Sequence, residues 1–128
     1  MSKAYGFHIT RRPFWEAEGP AITPREWLEY VRNDPELELI ESEGPHFVFW
    51  NGPSRLEEPW LDWEDGEIFT EDPDRALVDK MVAIAQKLKA EVQGDDGETY
   101  TDSSEVVDPS EEKKPTDKKS FWNKLFGA

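Results

Sequence analysis

Several features are missing from this chain, and each absence excludes a class of protein. It has no cysteine among its 128 residues, so it can form no disulfide and has no thiolate for metal binding or catalysis. It has no apolar run of the length a membrane-spanning helix needs. Its first residues lack the apolar stretch of a secretory signal peptide. These absences predict a cytoplasmic protein without a transmembrane segment.

Positive charge is scarce in the middle of the chain. Positions 14 to 74 hold 18 acidic residues against Arg25, Arg32 and Arg55, a balance of −15 in a chain whose total is −14. A field of this sign repels nucleic acid and anionic membranes and attracts basic proteins. The alternative is an acidic surface that only keeps the protein soluble.

Large apolar side chains are concentrated in the first hundred residues, which contain five of the six tryptophans. From Thr101 onward Asp, Glu, Ser, Lys and Pro dominate until Ser120, with no hydrophobic periodicity. Such a composition cannot bury enough apolar surface to fold. We therefore predict an acidic domain at 1–100 and a disordered tail at 101–128.

Alternating and helical patterns predict an α+β domain. Residues 4–11 alternate apolar and small or polar side chains, as a strand does. Thr23-Pro24-Arg25-Glu26 has the form of a capping box, which predicts a helix that ends near Asn33. A turn at Asp65-Gly66 predicts a hairpin. With the other short apolar runs, the fold expected is a mainly antiparallel sheet of about five to six short strands packed with two helices, in which the runs from 37 to 70 form one antiparallel meander. The other strands are predicted at 37–41, 47–50, 60–63 and 67–70, and residues 91–93 and 98–100 could form a last hairpin.

The second helix is expected after Asp72-Pro73, with a capping residue followed by proline. Its apolar residues recur at spacings of four, three and four and so define one buried face. Lys80 is on the opposite side of this helix and is expected to be exposed. The buried face comprises Leu77, Met81, Ile84 and Leu88.

No established catalytic motif is present. His8 and His46 have no partner at the spacing of a metal site. Asp95, Asp96 and Glu98 could hold a cation, but a hairpin turn rich in Asp and Gly explains them better. We therefore expect no enzyme activity, no cofactor and no bound metal.

Trp60 and Trp63 lie in the most acidic part of the chain, and alternation places Trp60 and Asp62 on one face. Aromatic residues beside carboxylates suit the capture of a basic protein surface. The alternative is that every tryptophan here belongs to the core. The predicted partner-binding residues are Glu57, Glu58, Trp60, Asp62, Glu64 and Asp65.

The last residues combine three lysines with four large apolar side chains. On a helix these four would share one face, which could dock in a partner groove or on a membrane surface. The alternative is a frayed tail without a role. The predicted docking residues are Phe121, Trp122, Leu125 and Phe126.

Four runs of the sequence carry a resemblance to known proteins. They are Tyr5-Gly6-Phe7-His8-Ile9-Thr10-Arg11, Ile22-Thr23 with Glu26-Trp27, Asp34-Pro35-Glu36-Leu37 and Gln93-Gly94-Asp95-Asp96-Gly97-Glu98. The order of these runs resembles that of small, acidic, uncharacterised bacterial proteins, which are similar in size and charge to immunity proteins that neutralise toxins. The resemblance covers residues 5–100 and carries no functional residue with it. It implies a binding protein.

The function expected from charge and resemblance is that of an immunity protein, which blocks the basic site of a cognate toxin by occlusion. A nuclease toxin fits the charge best, because an acidic face can compete with a negatively charged substrate. The alternative is a regulatory or adaptor protein that docks on a partner or a membrane surface through its C-terminal aromatic residues. An enzyme has the least support.

Overall fold

A computed structural model describes residues 4–106 and confirms an α+β fold. Seven strands, rather than five to six, form one antiparallel sheet in the order β2-β3-β4-β5-β1-β6-β7. The strands are β1 (Gly6–Thr10), β2 (Leu37–Leu39), β3 (Val48–Trp50), β4 (Trp60–Glu64), β5 (Glu67–Glu71), β6 (Glu91–Gly94) and β7 (Thr99–Tyr100), and the helices are α1 (Pro24–Arg32) and α2 (Arg75–Leu88).

The antiparallel meander predicted for residues 37–70 is confirmed. Strands β2 to β5 follow one another by hairpins, but β1 lies between β5 and β6. Its central position agrees with its burial, since all five of its residues are buried. The Asp65-Gly66 turn between β4 and β5 has positive φ at both residues, 54° and 88°, as the dipeptide predicts.

Each helix begins at a capping residue. For α1 the predicted capping box is present: the amide of Glu26 donates to Thr23 Oγ1 at 3.0 Å, and the amide of Thr23 donates to Glu26 Oε1 at 2.9 Å. The cap of α2 is Asp74, not Asp72. Asp72 instead has a φ of 49° and accepts the amide of Tyr5, which ties β1 to the end of β5.

Both helices pack against the same face of the sheet and enclose one core. Trp27 and Ile84 are fully buried there, together with Ile9, Leu61 and Ile68 from the central strands. All four predicted α2 positions are buried. The apolar periodicity therefore identified the helix face that forms the core.

Lys80 departs from its predicted exposure. Its ammonium group lies 2.8 Å from both Asp34 Oδ2 and Glu36 Oε1, and its side chain is 13% exposed. A sequence pattern on α2 cannot reveal these acceptors, because they come from the segment after α1. Lys80 therefore ties α2 to the segment between α1 and β2.

The folded part extends beyond Tyr100. Val106 is 5% exposed within the core, and its carbonyl accepts a hydrogen bond from Arg75 Nε at 2.8 Å. Within residues 4–106 neither helix is long and apolar enough to cross a bilayer.

Candidate functional site

One side of the sheet carries a row of aromatic rings. In β3 and β4, Val48 pairs with Leu61 and Phe49 with Trp60. Val48 and Leu61 are fully buried under the helices, so the alternation of the strands turns Phe49 and Trp60 to the other side. Phe69 joins them, since it pairs with Asp62, two residues after Trp60.

Four rings on this side are in contact. Phe47 stacks on Trp60 with centroids 5.5 Å apart and an interplanar angle of 16°. Phe49 meets Phe47 edge to face at 5.6 Å, and Phe69 meets Trp60 edge to face at 5.5 Å. All four are partly exposed. We call Phe47, Phe49, Trp60 and Phe69 the aromatic face.

Carboxylates border the aromatic face. Glu38 pairs with Phe49 across β2 and β3, and Glu64 and Glu71 follow Asp62 and Phe69 by two positions on their strands. Alternation therefore places all of them on the same side of the sheet. Three are exposed and Asp62 is partly exposed. We call Glu38, Asp62, Glu64 and Glu71 the acidic rim.

Asp62 is the partly buried carboxylate of the acidic rim. Partial burial raises the pKa of its carboxyl group, while a hydrogen bond from the amide of Trp63 at 2.9 Å and the nearby His46 lower it. The net direction is upward. When a carboxylate that has already lost part of its hydration binds a cation, the remaining desolvation penalty is smaller.

Next to the aromatic face, the loop at 11–21 covers the same side of the sheet over β1 and β6. Trp15 stacks on His8 with centroids 3.8 Å apart and an angle of 10°. Its indole Nε1 donates to the carbonyl of Asp95, and its amide donates to Gln93 Oε1, both at 3.0 Å. The loop is thus fixed to the sheet by specific bonds.

Beneath this loop, His8 is held between two carboxylates. Its Nδ1 lies 3.0 Å from Glu67 Oε2 and its Nε2 lies 2.8 Å from Asp95 Oδ1. The His8 side chain is 6% exposed and that of Glu67 11%, whereas that of Asp95 is 34% exposed. An imidazolium can donate to both carboxylates at once, whereas neutral imidazole can donate to only one.

The pKa values of His8 and Glu67 are both raised, but for different reasons. Burial lowers the pKa of His8, but the bonds to Glu67 and Asp95 outweigh it, so the pKa lies above the ordinary 6.5. Burial raises the pKa of Glu67, and His8 opposes this only in part. Glu67 Oε1 is buried and has no hydrogen-bond partner among residues 4–106. Because both imidazole nitrogens are engaged, His8 has no free nitrogen to act as a general base.

The carboxylates after β6 are engaged by protein donors. The amide of Gly6 donates to Asp95 Oδ2 at 2.8 Å, and the hydroxyls of Tyr5 and Tyr100 both donate to Glu98. These bonds hold the pKa of Glu98 below its ordinary value, against the effect of its burial. In the described part of the chain no group of three or more His, Asp or Glu side chains is placed to hold a metal ion.

The predicted partner-binding residues fall in three places. Trp60, Asp62 and Glu64 lie together on the aromatic face and its rim. Glu57 and Glu58 are exposed in the loop before β4. Asp65 is in the β4–β5 turn, where it borders an open cleft of about 470 Å³ beside Arg12 and Trp15. The predicted docking residues Phe121, Trp122, Leu125 and Phe126 lie outside the described residues.

The sequence analysis did not identify three of the four rings of the aromatic face, nor the partners of His8. Phe47, Phe49 and Phe69 reach Trp60 only through strand register. Their alternation with buried residues was the available signal. His8, for which the sequence offered no partner at the spacing of a metal site, is bound to residues 59 and 87 positions away. A pattern of neighbouring residues cannot predict a contact over such a separation in sequence.

The chain matches no protein-family model, no curated protein and no solved structure. The geometry of its surface is therefore the basis for a functional assignment.

Proposed function

We propose that this protein binds a basic protein partner through the aromatic face and its acidic rim. The observation that carries the proposal is the row of four contacting, partly exposed rings on the side of the sheet opposite the helices. Contiguous apolar patches bordered by polar groups mark interaction sites on soluble proteins.

The rings supply the short-range part of the binding energy. Aromatic residues are enriched at the centres of protein interfaces, where truncation of a tryptophan often costs about 2 kcal/mol or more. Trp60 occupies the central position, between Phe47 and Phe69. Phe49 and Trp60 also stabilise the sheet as a cross-strand pair, by about 0.2–1 kcal/mol. Buried rings would stabilise the sheet equally well, so this role does not account for the exposure of Phe49 and Trp60.

The rim supplies the preference for a basic partner. Four carboxylates surround the rings, and Glu57 and Glu58 add charge at the beginning of β4. Such charges raise the association rate of a basic partner and disfavour acidic ones. Partly desolvated Asp62 fits a lysine or arginine that is buried when the complex forms.

In its most specific form, the proposal is that of an immunity protein. The surface would cover the basic site of a toxin and exclude its negatively charged substrate, such as a nucleic acid. The support for this form is the charge of the surface and the resemblance of the sequence to small acidic bacterial proteins.

A binding function also fits the buried cluster at His8. Its two nitrogens are satisfied by Glu67 and Asp95 beneath Trp15, so the cluster has the features of a structural clamp. It fixes the covering loop and the strand β5 that carries Phe69. We assign these residues no role in chemistry.

The test is kinetic. A partner captured with the full chain would be purified, and its association and dissociation rates measured at two ionic strengths. Reversing Glu57 and Glu58 to Lys should mainly lower the association rate and weaken its dependence on salt. Trp60→Ala should mainly raise the dissociation rate, by a factor corresponding to about 2 kcal/mol or more.

Matched controls separate the face from the rest of the surface. Glu29→Lys changes an exposed charge on α1, on the helical side of the sheet, and should leave both rates nearly unchanged. Trp60→Ala must unfold cooperatively in the absence of partner. Wild-type rates in folded Trp60→Ala, with an association rate indifferent to salt, would leave the acidic surface with a solubilising role only.

A further inference from the structure

We infer that residues 118–126 of this same chain dock on the aromatic face. We call these residues the basic aromatic segment. The inference goes beyond the proposed function, because it names an occupant of the face that needs no second molecule. It would make the segment a competitor that any external partner must displace.

The basic aromatic segment and the acidic rim have opposite charges. The basic aromatic segment contains Lys118, Lys119 and Lys124 and no acidic residue. The acidic rim presents four carboxylates around the rings, with Asp62 already partly desolvated. Opposite charges surrounding apolar surfaces set the orientation and favour the encounter.

The basic aromatic segment and the aromatic face both present large apolar side chains. The segment offers two phenylalanines, a tryptophan and a leucine within six positions, at 121–126. The aromatic face offers four rings that already meet in stacked and edge-to-face contacts. Aromatic pairs of these kinds attract each other beyond the effect of the apolar area they bury.

The chain between Val106 and the basic aromatic segment is long enough for the segment to reach the aromatic face. Val106 is anchored beside Arg75 at the beginning of α2, on the helical side of the sheet. Fourteen residues separate it from Phe121, and an extended chain of that length spans up to about 50 Å. A domain of about 100 residues has a radius of gyration of about 13 Å. The connection can therefore pass around an edge of the sheet to its open side.

The connection also gives this segment an advantage over a free peptide of the same composition. A short covalent link produces an effective concentration of about millimolar. An intrinsically weak contact is then sufficient to occupy the face for much of the time. A basic partner would have to bind more tightly than this to displace the segment.

The experiment uses the full chain and exploits its lack of cysteine. Ser120→Cys provides a single attachment site for a nitroxide spin label, which broadens the amide signals of nearby residues in an NMR spectrum. Signals from 47–50, 60–64 and 67–71 should be lost, and those from the exposed sides of α1 and α2 retained. Reduction of the nitroxide should restore them.

Two controls identify the occupant. In labelled chains that also carry Trp122→Ser and Phe126→Ser, the signals of the aromatic face should return, since the apolar anchors are gone. In a mixture of isotope-labelled chains without nitroxide and spin-labelled chains without isotope, no broadening should appear. Broadening in the mixture would show that the segment binds a second copy, which contradicts docking within one chain.

Equal broadening on both sides of the sheet, or broadening that survives the double substitution, would also overturn the inference. A label attached through Ala128→Cys instead of Ser120→Cys should give the same pattern, which excludes an effect of the label itself. Because no partner is present, a negative result here leaves the proposed binding function standing.

Discussion

Substitution of His8 by phenylalanine isolates the energetic role of the buried cluster. Phenylalanine preserves most of the ring volume and the contact with Trp15, but it removes both nitrogens. Glu67 then remains buried without its partner, which typically costs about 3–5 kcal/mol. Asp95 is more exposed and can recover hydration, so it adds less. In a domain of this size, such a loss lowers the melting temperature by more than about 10 °C.

The same cluster predicts how stability depends on pH. His8 has a folded pKa above its ordinary 6.5, so its contribution is complete below that value and is lost as the pH rises through the folded pKa. Within that window one extra proton bound by the folded state lowers stability by up to about 1.4 kcal/mol per pH unit. Glu67, whose pKa is also raised, acts in the same direction at lower pH.

The assay is urea unfolding of wild type and variants from pH 5 to pH 9. His8→Phe should be less stable throughout, and the decline above pH 6.5 should disappear when Glu67→Leu is added, because the double variant contains neither of the two groups whose pKa is raised. Adding Glu67→Leu to His8→Phe should recover part of the loss, because the uncompensated carboxylate is removed. If His8→Phe retained wild-type stability, or if the double variant kept the wild-type pH dependence, the account of this cluster would be wrong.

Three further predictions concern the rest of the domain. In urea unfolding, Ile84→Ala should lower the free energy of unfolding by about 2–5 kcal/mol, because the side chain is fully buried. Lys80→Ala should lower it by about 1–3 kcal/mol, because Asp34 loses its ion-pair partner, whereas Lys87→Ala at an exposed position should change it by less than about 0.5 kcal/mol. Equal losses at positions 80 and 87 would refute the ion pair between Lys80 and Asp34. Truncation after Tyr100 should be less stable than truncation after Val106 by about 1.5–3 kcal/mol, since it removes a buried valine; identical melting temperatures would show that Val106 contributes nothing. A strong chelator should leave the melting temperature unchanged, because Asp95 and Glu98 are engaged by protein donors; a large drop would indicate a metal at that turn.

Local signals predicted most of the elements. The capping box at Thr23, the Asp65-Gly66 turn and the apolar spacing of α2 all depend on residues within a few positions of each other. They were therefore readable along the chain, and the α+β class follows from them. The cap of α2 was misplaced by two residues because Asp72 and Asp74 both have capping side chains. Only the second is buried, where it accepts hydrogen bonds from Ser54 and the amides of Arg55 and Leu77.

Features that depend on strand order could not be predicted in the same way. The insertion of β1 between β5 and β6 brings His8 to Glu67 and Asp95, and it limits the meander to β2 through β5. Register across β3, β4 and β5 assembles the aromatic face from three separate stretches of sequence. Trp60 and Asp62 were correctly placed together because they lie on one strand, whereas their aromatic neighbours lie on others.

The most direct test of the central claim is an NMR footprint of a basic partner on the full chain. After the partner has been purified, it would be added to isotope-labelled protein and the changes in amide signals mapped. The proposal predicts that the changes concentrate at Phe47, Phe49, Trp60, Asp62 and Phe69, and that Glu29→Lys does not alter them. Changes concentrated on α1 and α2, with the signals of β3 to β5 undisturbed, would contradict it.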